Sequence, residues 1–279
     1  MNAQPAVSRY RGPSALGDDL RRFVNLTVIL AVTDFKLRFF GSALGYFWTL
    51  IRPLLLFGVL YFVFTEVVRF GDDVKNYPVY LLAAIMLFGF FAETTSRGVN
   101  SLVERENLLR KVRFPRMVIP LSVTLNALFN LGLNLIVVLV FVLASGIEPR
   151  WAWLEMFPLI ALLVVLATGV TMLLSALYVR YRDIQPIWEV ALQMLFYASP
   201  VIYVTSALPD SIEQEAMASP LTAVLTQMRH ALIDPGAPTA AEAIGGSARL
   251  LIPLAVVIAV FALGVWVFMR EAPRIAENL

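Results

Sequence analysis

RGVNSLVERENLLRKVRFPR, residues 97–116, is a charged stretch set between two apolar runs, 77–96 and 117–145. Each run meets the roughly 20 residues a helix needs to cross the hydrocarbon core, so the stretch between them must lie on one membrane surface. Its six basic residues place that surface on the cytoplasmic side. Within it Val99, Leu102, Val103, Leu109 and Val112 recur at helical spacing, while Glu104, Arg105, Asn107, Arg110 and Lys111 supply a polar face. This pattern predicts a short amphipathic helix over 99–112, with Arg105 and Arg110 on its exposed side. A helix hung between two spans in this way is what a membrane subunit needs to dock a soluble motor. The plainer alternative is a solvated loop that only sets topology.

The rest of the chain reads as the same class. Of 279 residues, 59% are hydrophobic and 15% charged, and the mean hydropathy is +0.76; this is an all-α polytopic membrane protein with no separate soluble domain. Six spans are expected, at 45–68, 77–96, 117–145, 157–179, 186–205 and 250–269. The first residues, MNAQPAVSRYRGPSALGDD, contain no apolar h-region and make no cleavable signal peptide, so the N-terminus is expected inside. With that orientation 17 of the 22 Lys and Arg residues fall on the cytoplasmic side, leaving Arg69, Lys75, Arg150, Arg229 and Arg249 outside. An even number of spans returns the C-terminus to the cytoplasm.

Two apolar segments do not fit a crossing. Over 14–39, and most clearly from Asp18 to Phe39, apolar positions alternate with Arg22, Asn25, Thr33 and Lys36, as in a helix lying in the membrane interface, although Ile29 spoils a clean polar face. In the outer segment 206–236, Ser219-Pro220 reads as a cap followed by a first-turn proline. Leu221, Val224, Leu225, Met228 and Leu232 then mark one helical face, and Asp234-Pro235-Gly236 ends it. That helix is too short to cross, so it is expected to dip into the outer leaflet or lie against the spans.

Several chemistries are excluded or weakened. A net charge of +2 signals no nucleic-acid partner. The absence of cysteine rules out thiolate metal sites and disulfides, and a single histidine, His230, argues against a histidine-based metal or acid/base site. There is no GxxxxGK[ST] and no GxGxxG, so energy comes from a partner or from an ion gradient. Gradient coupling calls for ionisable residues near the bilayer midplane, whereas Glu66, Glu93 and Glu189 fall near the expected span ends. Asp72-Asp73, the only adjacent acidic pair apart from Asp18-Asp19, reads as a solvated turn and gives little basis for a membrane glycosyltransferase.

Two patterns within the spans stand out. Phe47, Leu50, Leu54, Phe57, Tyr61, Phe64 and Val68 form an aromatic-rich stripe on the first span, suited either to helix packing or to a pathway on which sugar rings stack. Asn126, Asn130 and Asn134 place three amides on one face of the third span, a face that must meet another helix or a wet cavity.

Four motifs in order carry a resemblance. LGYFWTLIRPLL (44–55), LLRKVRFPRMVIPL (108–121), YVRYRDI (178–184) and ASPVIY (198–203) together resemble the transmembrane subunits of ABC-2 type exporters for O-antigen polysaccharides and teichoic acids. The chain departs from that family in having Ser219-Pro220 where Asn-Pro is common. The resemblance implies a homodimer bound to two copies of a cytoplasmic ABC ATPase, with ATP and Mg on that partner and no cofactor on this chain. It implies export of a polyprenyl-diphosphate-linked glycan, whether O-antigen, teichoic acid or galactan-type, across the plasma membrane of a bacterium. The interface helix and the coupling residues Glu104, Arg105, Asn107, Arg110 and Lys111 would seat in the ATPase. Phe47, Trp48, Phe57, Tyr61 and Phe64 of the first span, with Phe196 and Tyr197 of the fifth, would border the glycan path. Arg180, Arg182 and Asp183 would form the cytoplasmic turn. Export of a drug or lipid, and gradient-driven secondary transport, remain the alternatives.

Overall fold

The computed structural model describes residues 20–39, 45, 47–68, 74–111 and 115–278, and all regular structure among them is helical. The longer helices are α1 (Leu20–Phe39), α2 (Phe47–Tyr61, continued by a π-helical turn Phe62–Val67), α3 (Tyr77–Glu104), a short α4 (Glu106–Lys111), α5 (Val118–Ala144), α6 (Met156–Arg180) and α7 (Ile184–Ala198). Three short helices follow, α8 (Asp210–Ala216), α9 (Pro220–Met228) and α10 (Ala240–Ala243), before the final helix α11 (Leu251–Asn278).

Five segments are long and apolar enough to cross a membrane: Phe47–Val67, Tyr77–Glu104, Val118–Ala144, Trp151–Arg180 and Ser247–Ala272. The expected span over 186–205 is different. Its helix, α7, has 15 residues, about 22 Å at 1.5 Å per residue and less than the hydrocarbon thickness. Pro200 explains the early stop: it pushes the preceding residue out of the helical region, and Ser199 is extended at φ −90°, ψ 151°. The chain beyond is pinned to the top of α3. The Tyr77 hydroxyl donates to the Ile202 carbonyl at 2.7 Å, and the Tyr80 hydroxyl bonds the carbonyls of Pro200 and Tyr203.

α3 is the axis of the bundle, packed against α5, α6 and α2. Its buried threonine hydroxyls are satisfied within the helix, as lipid or a dry interior requires: Thr94 donates to the Phe90 carbonyl at 2.7 Å and Thr95 to that of Phe91 at 2.8 Å. α6 and α11 make the closest crossing. A Cβ added to Gly169 would lie 2.6 Å from the Cα of Phe261, and one added to Gly264 would strike the Gly169 carbonyl. Only glycine lets the two backbones meet there.

After Ser219 the chain is helical, α9 running over Pro220–Met228. Leu221, Val224, Leu225, Met228 and Leu232 are all buried, and Asp234 turns extended after the π-helical turn Arg229–Ile233. Ser219 holds the capping position with extended backbone, but its side chain makes no capping bond. Further on, the Thr239 amide and hydroxyl bond the Glu242 carboxylate in a capping box that starts α10, and these bonds hold that carboxyl below its usual pKa. His230 is structural, its Nδ1 lying 2.8 Å from the Ala237 carbonyl.

The helix expected over 99–112 is divided. α3 runs without interruption through 97–104, so Val99 and Leu102 are buried core residues at its end. The apolar positions continue α3's own face, which is why the helix does not stop at Ser96. Arg105 breaks the helical path at φ −109°, ψ 23°, and α4 follows. Val112 lies outside the described residues, as do residues 14–19 of the expected interface helix and the pair Asp72-Asp73.

Candidate functional site

α1 folds back along the lower part of the bundle and rests on α5. Phe23 and Ala31 face inward, while Leu20, Val24, Val28 and Ile29 remain exposed, an arrangement suited to the membrane interface. Polar contacts fix its register. The Asn126 amide donates to the Ala31 carbonyl at 3.2 Å, Phe35 meets Phe129 edge-on, and Asp34 pairs with Arg105.

That last pair corrects an expectation. The Arg105 side chain is only 18% exposed and reaches inward to Asp34, with Ser122 Oγ at 3.5 Å, so it is not on the exposed side. Among the described residues of the stretch, Arg97, Glu104, Asn107 and Leu108 are exposed. The side chains of Arg110 and Lys111 lie outside the described residues.

Beside the end of α1 is a cavity of about 720 Å³ lined from α1, α2, α3, α5 and α7. Glu93 is its electrostatic centre. One carboxylate oxygen takes the Arg38 guanidinium at 2.6 Å, the Asn130 amide at 2.8 Å and Arg97 Nε at 3.4 Å. Arg52, Trp48 and Asn134 also line the space. The asparagine face therefore does both things expected of it: Asn126 and Asn130 bond neighbouring elements, and Asn134 meets a cavity.

The aromatic residues fall into two groups. Trp48 and Phe196 line the cavity, Phe196 held edge-on by Phe88 at 5.2 Å. Phe57, Tyr61 and Phe64 lie on the other side of α2 and pack toward the core; Phe57 stacks with Tyr61 and meets Phe141 edge-on, both at 5.7 Å. Phe47 and Tyr197 point outward, at 56% and 60% exposure. Of the stripe seen in the sequence, Leu54, Phe57, Tyr61 and Phe64 pack against the core while Phe47 and Val68 are exposed, and Trp48, Arg52 and Leu56 face the cavity.

The turn between α6 and α7 is tight and exposed. Arg180 lies over the ring of Tyr181 at 5.3 Å and Arg182 over Tyr178 at 5.0 Å, with Asp183 at the start of α7. No group of three or more His, Cys, Asp or Glu residues able to hold a metal occurs among the described residues.

Sequence reasoning missed the Arg38, Arg52, Glu93 and Arg97 grouping. Its one local signal was the i, i+4 spacing of Glu93 and Arg97, read as a span end.

The model of the ABC-2 type transporter family matches residues 25–233. An O-antigen export system permease protein RfbA of Myxococcus xanthus is 32% identical over 211 residues, 75% of this chain and 80% of that protein. Its counterpart in Klebsiella pneumoniae is 29% identical over 206 residues, 74% and 79% of the two chains. The polysialic acid transport protein KpsM of Escherichia coli is 22% identical over 210 residues, 73% and 80%.

Proposed function

The chain belongs to the ABC-2 type transporter family, and on that premise we propose that it is the membrane subunit of an ATP-driven exporter of a polyprenyl-diphosphate-linked polysaccharide. The observation that carries this reading is the likeness, over about three quarters of the chain, to permeases named for O-antigen and polysialic acid export. Chain patterning supports it: the sequence holds no nucleotide-binding motif, and its span acids Glu66, Glu93 and Glu189 fall near the expected span ends rather than where gradient coupling needs them, which favours a driven partner.

In this reading two copies of the chain and two copies of a cytoplasmic ABC ATPase form the exporter in the bacterial inner membrane, with ATP and Mg on the ATPase. α1 and the junction of α3 with α4 seat in the ATPase, Glu104 and Asn107 presenting the exposed polar contacts. Arg110, Lys111 and the turn Arg180, Arg182 and Asp183 complete that cytoplasmic face. α7, together with the chain at 199–204, makes a sixth crossing, and both termini are cytoplasmic, as the 17 to 5 distribution of basic residues favours. The exposed apolar residues of α2 (Leu55, Val59, Phe62) and α7 (Ile187, Val190, Met194) lie on the side that a second copy covers. Trp48 and Phe196 border the glycan path.

Coexpression tests the assignment. The isolated chain is expected to turn over no ATP, and turnover should appear when the ATPase encoded for it is added and should rise with lipid-linked glycan. ATP hydrolysis by the isolated chain, or an ATPase that neither binds it nor responds to it, contradicts the reading.

A further inference from the structure

A second cavity, of about 260 Å³, lies between α6 and α11 and is roofed by α9. Its floor is buried leucine and valine, Leu163, Leu166, Val224 and Val257, while Leu162 is half-buried and Leu254 exposed at its lip. Both walls are helices long and apolar enough to cross a membrane, so the exposed lip meets lipid. Among the described lining residues Gln227 is the one polar side chain, and its amide is committed: Nε2 donates to the Glu155 carboxylate at 2.6 Å and Oε1 accepts from the Ala240 amide at 2.9 Å. A sugar or a charged group finds no partner in such a space, whereas an apolar cavity of only about 150 Å³ takes up a hydrocarbon ring. The groove fits an acyl chain. Beyond it stands a cation. Ala223, Ala240 and Leu250 of the groove pack with Ile244, and the Ile244 carbonyl and the Gln214 side-chain oxygen hold Arg249 Nη1 at 3.3 and 2.8 Å. Both acceptors are neutral, Arg249 is exposed, and its charge is paired with no carboxylate among the described residues. Acids stand close to it along the chain: Glu213 and Glu215 flank Gln214 in α8, and Glu242 lies two residues before Ile244.

We infer that this groove is the seat of one phosphatidylethanolamine molecule from the leaflet on the α9 side, with an acyl chain between α6 and α11, its phosphate on Arg249 and its ammonium toward the carboxylates of Glu215 and Glu242. The choice of headgroup follows from charge. A guanidinium with free N–H groups takes a phosphate, but an anionic lipid brings net negative charge to a surface that already carries three glutamates around one arginine. Phosphatidylcholine has the same zwitterion without the N–H donors that a carboxylate accepts. Phosphatidylethanolamine supplies both the phosphate and a compact ammonium. The bound chain joins α9 and α10 to the α6 and α11 pair, so this lipid is a structural part of that end of the bundle, whatever the exporter carries.

The test uses the full chain, delipidated in maltoside detergent, with palmitoyl-oleoyl phosphatidylethanolamine, phosphatidylcholine and phosphatidylglycerol as probes. Native mass spectrometry reads the lipid retained, and thermal unfolding reads the shift each lipid causes. One phosphatidylethanolamine per chain is expected to be retained, with a larger rise in unfolding midpoint than either other lipid gives. Arg249→Gln, at an exposed position, should weaken that binding about tenfold, and Ala223→Phe, which puts a ring into the groove, should abolish it. Each variant is compared with itself without lipid, so a change in its own stability does not count as lost binding. If Ala223→Phe fails to fold, Arg249→Gln alone decides. Equal retention of the three lipids, or preference for phosphatidylglycerol, overturns the inference, and so does phosphatidylethanolamine binding that Arg249→Gln leaves unchanged. Displacement of the lipid by geranylgeranyl diphosphate at equal concentration would make the groove part of the substrate path and overturns it too.

Discussion

α2 and α3 have similar hydropathy, 1.9 and 1.6 over their best windows, yet none of the first window is buried and 78% of the second is. Lipid tails are as apolar as leucine, so hydropathy says that a helix can enter the membrane and nothing about whether protein or lipid surrounds it. Small residues and polar contacts decide that. In the α3, α6 and α11 group, Gly98 faces Thr171 and Gly169 faces Gly264 across backbones in contact. In α2, Gly58 has open space beside it. The rigid group carries the fold, and the edge formed by α2 and α7 borders the cavity.

The largest effect should come from glycine. Gly264→Leu drives a side chain into the Gly169 carbonyl and is expected to cost at least about 3 kcal/mol, enough to abolish a monodisperse peak in detergent size-exclusion chromatography. Gly58→Leu should be near neutral in the same assay. Equal tolerance at both positions would mean that the two regions are packed alike.

A smaller effect is expected at the junction between them. Arg105→Glu removes the pair with Asp34 and leaves two carboxylates facing, at a cost of about 1 to 3 kcal/mol for a half-buried contact. Combining it with Asp34→Arg should restore thermal stability and ATPase binding together. If ATPase binding stays lost while stability returns, Arg105 contacts the ATPase directly.

The smallest effects separate the two faces of α2. Phe57→Leu with Tyr61→Leu should lower thermal stability by about 1 kcal/mol, since both rings pack on the core, and leave export per folded molecule unchanged. Trp48→Leu should do the reverse. Export lost in the first variant with stability intact would return the path to the stripe.

Those outcomes bear on how much a sequence can say. Hydropathy marks the five long apolar helices, and the local spacing after Ser219-Pro220 marks α9, because those depend on residues near one another in the chain. Two features were out of reach. The end of α7 depends on Pro200 and on two tyrosines of α3 far from it in sequence. The anionic centre joins Arg38 to Glu93 across 55 residues and Asn130 to Glu93 across 37, and only the fold-back of α1 along α5 brings them together. Arg105 shows the complementary error: its helical phase marked it as polar, and polarity was taken for exposure.

The proposed coupling of glycan export to an ATPase is tested most directly by movement of a polyprenyl-diphosphate-linked glycan across sealed proteoliposomes containing this chain and its ATPase. Transport should require both ATP and the ATPase, and should persist when proton and sodium gradients are collapsed by ionophores. Transport by this chain alone, or transport that stops when the gradients are collapsed at fixed ATP, would contradict it.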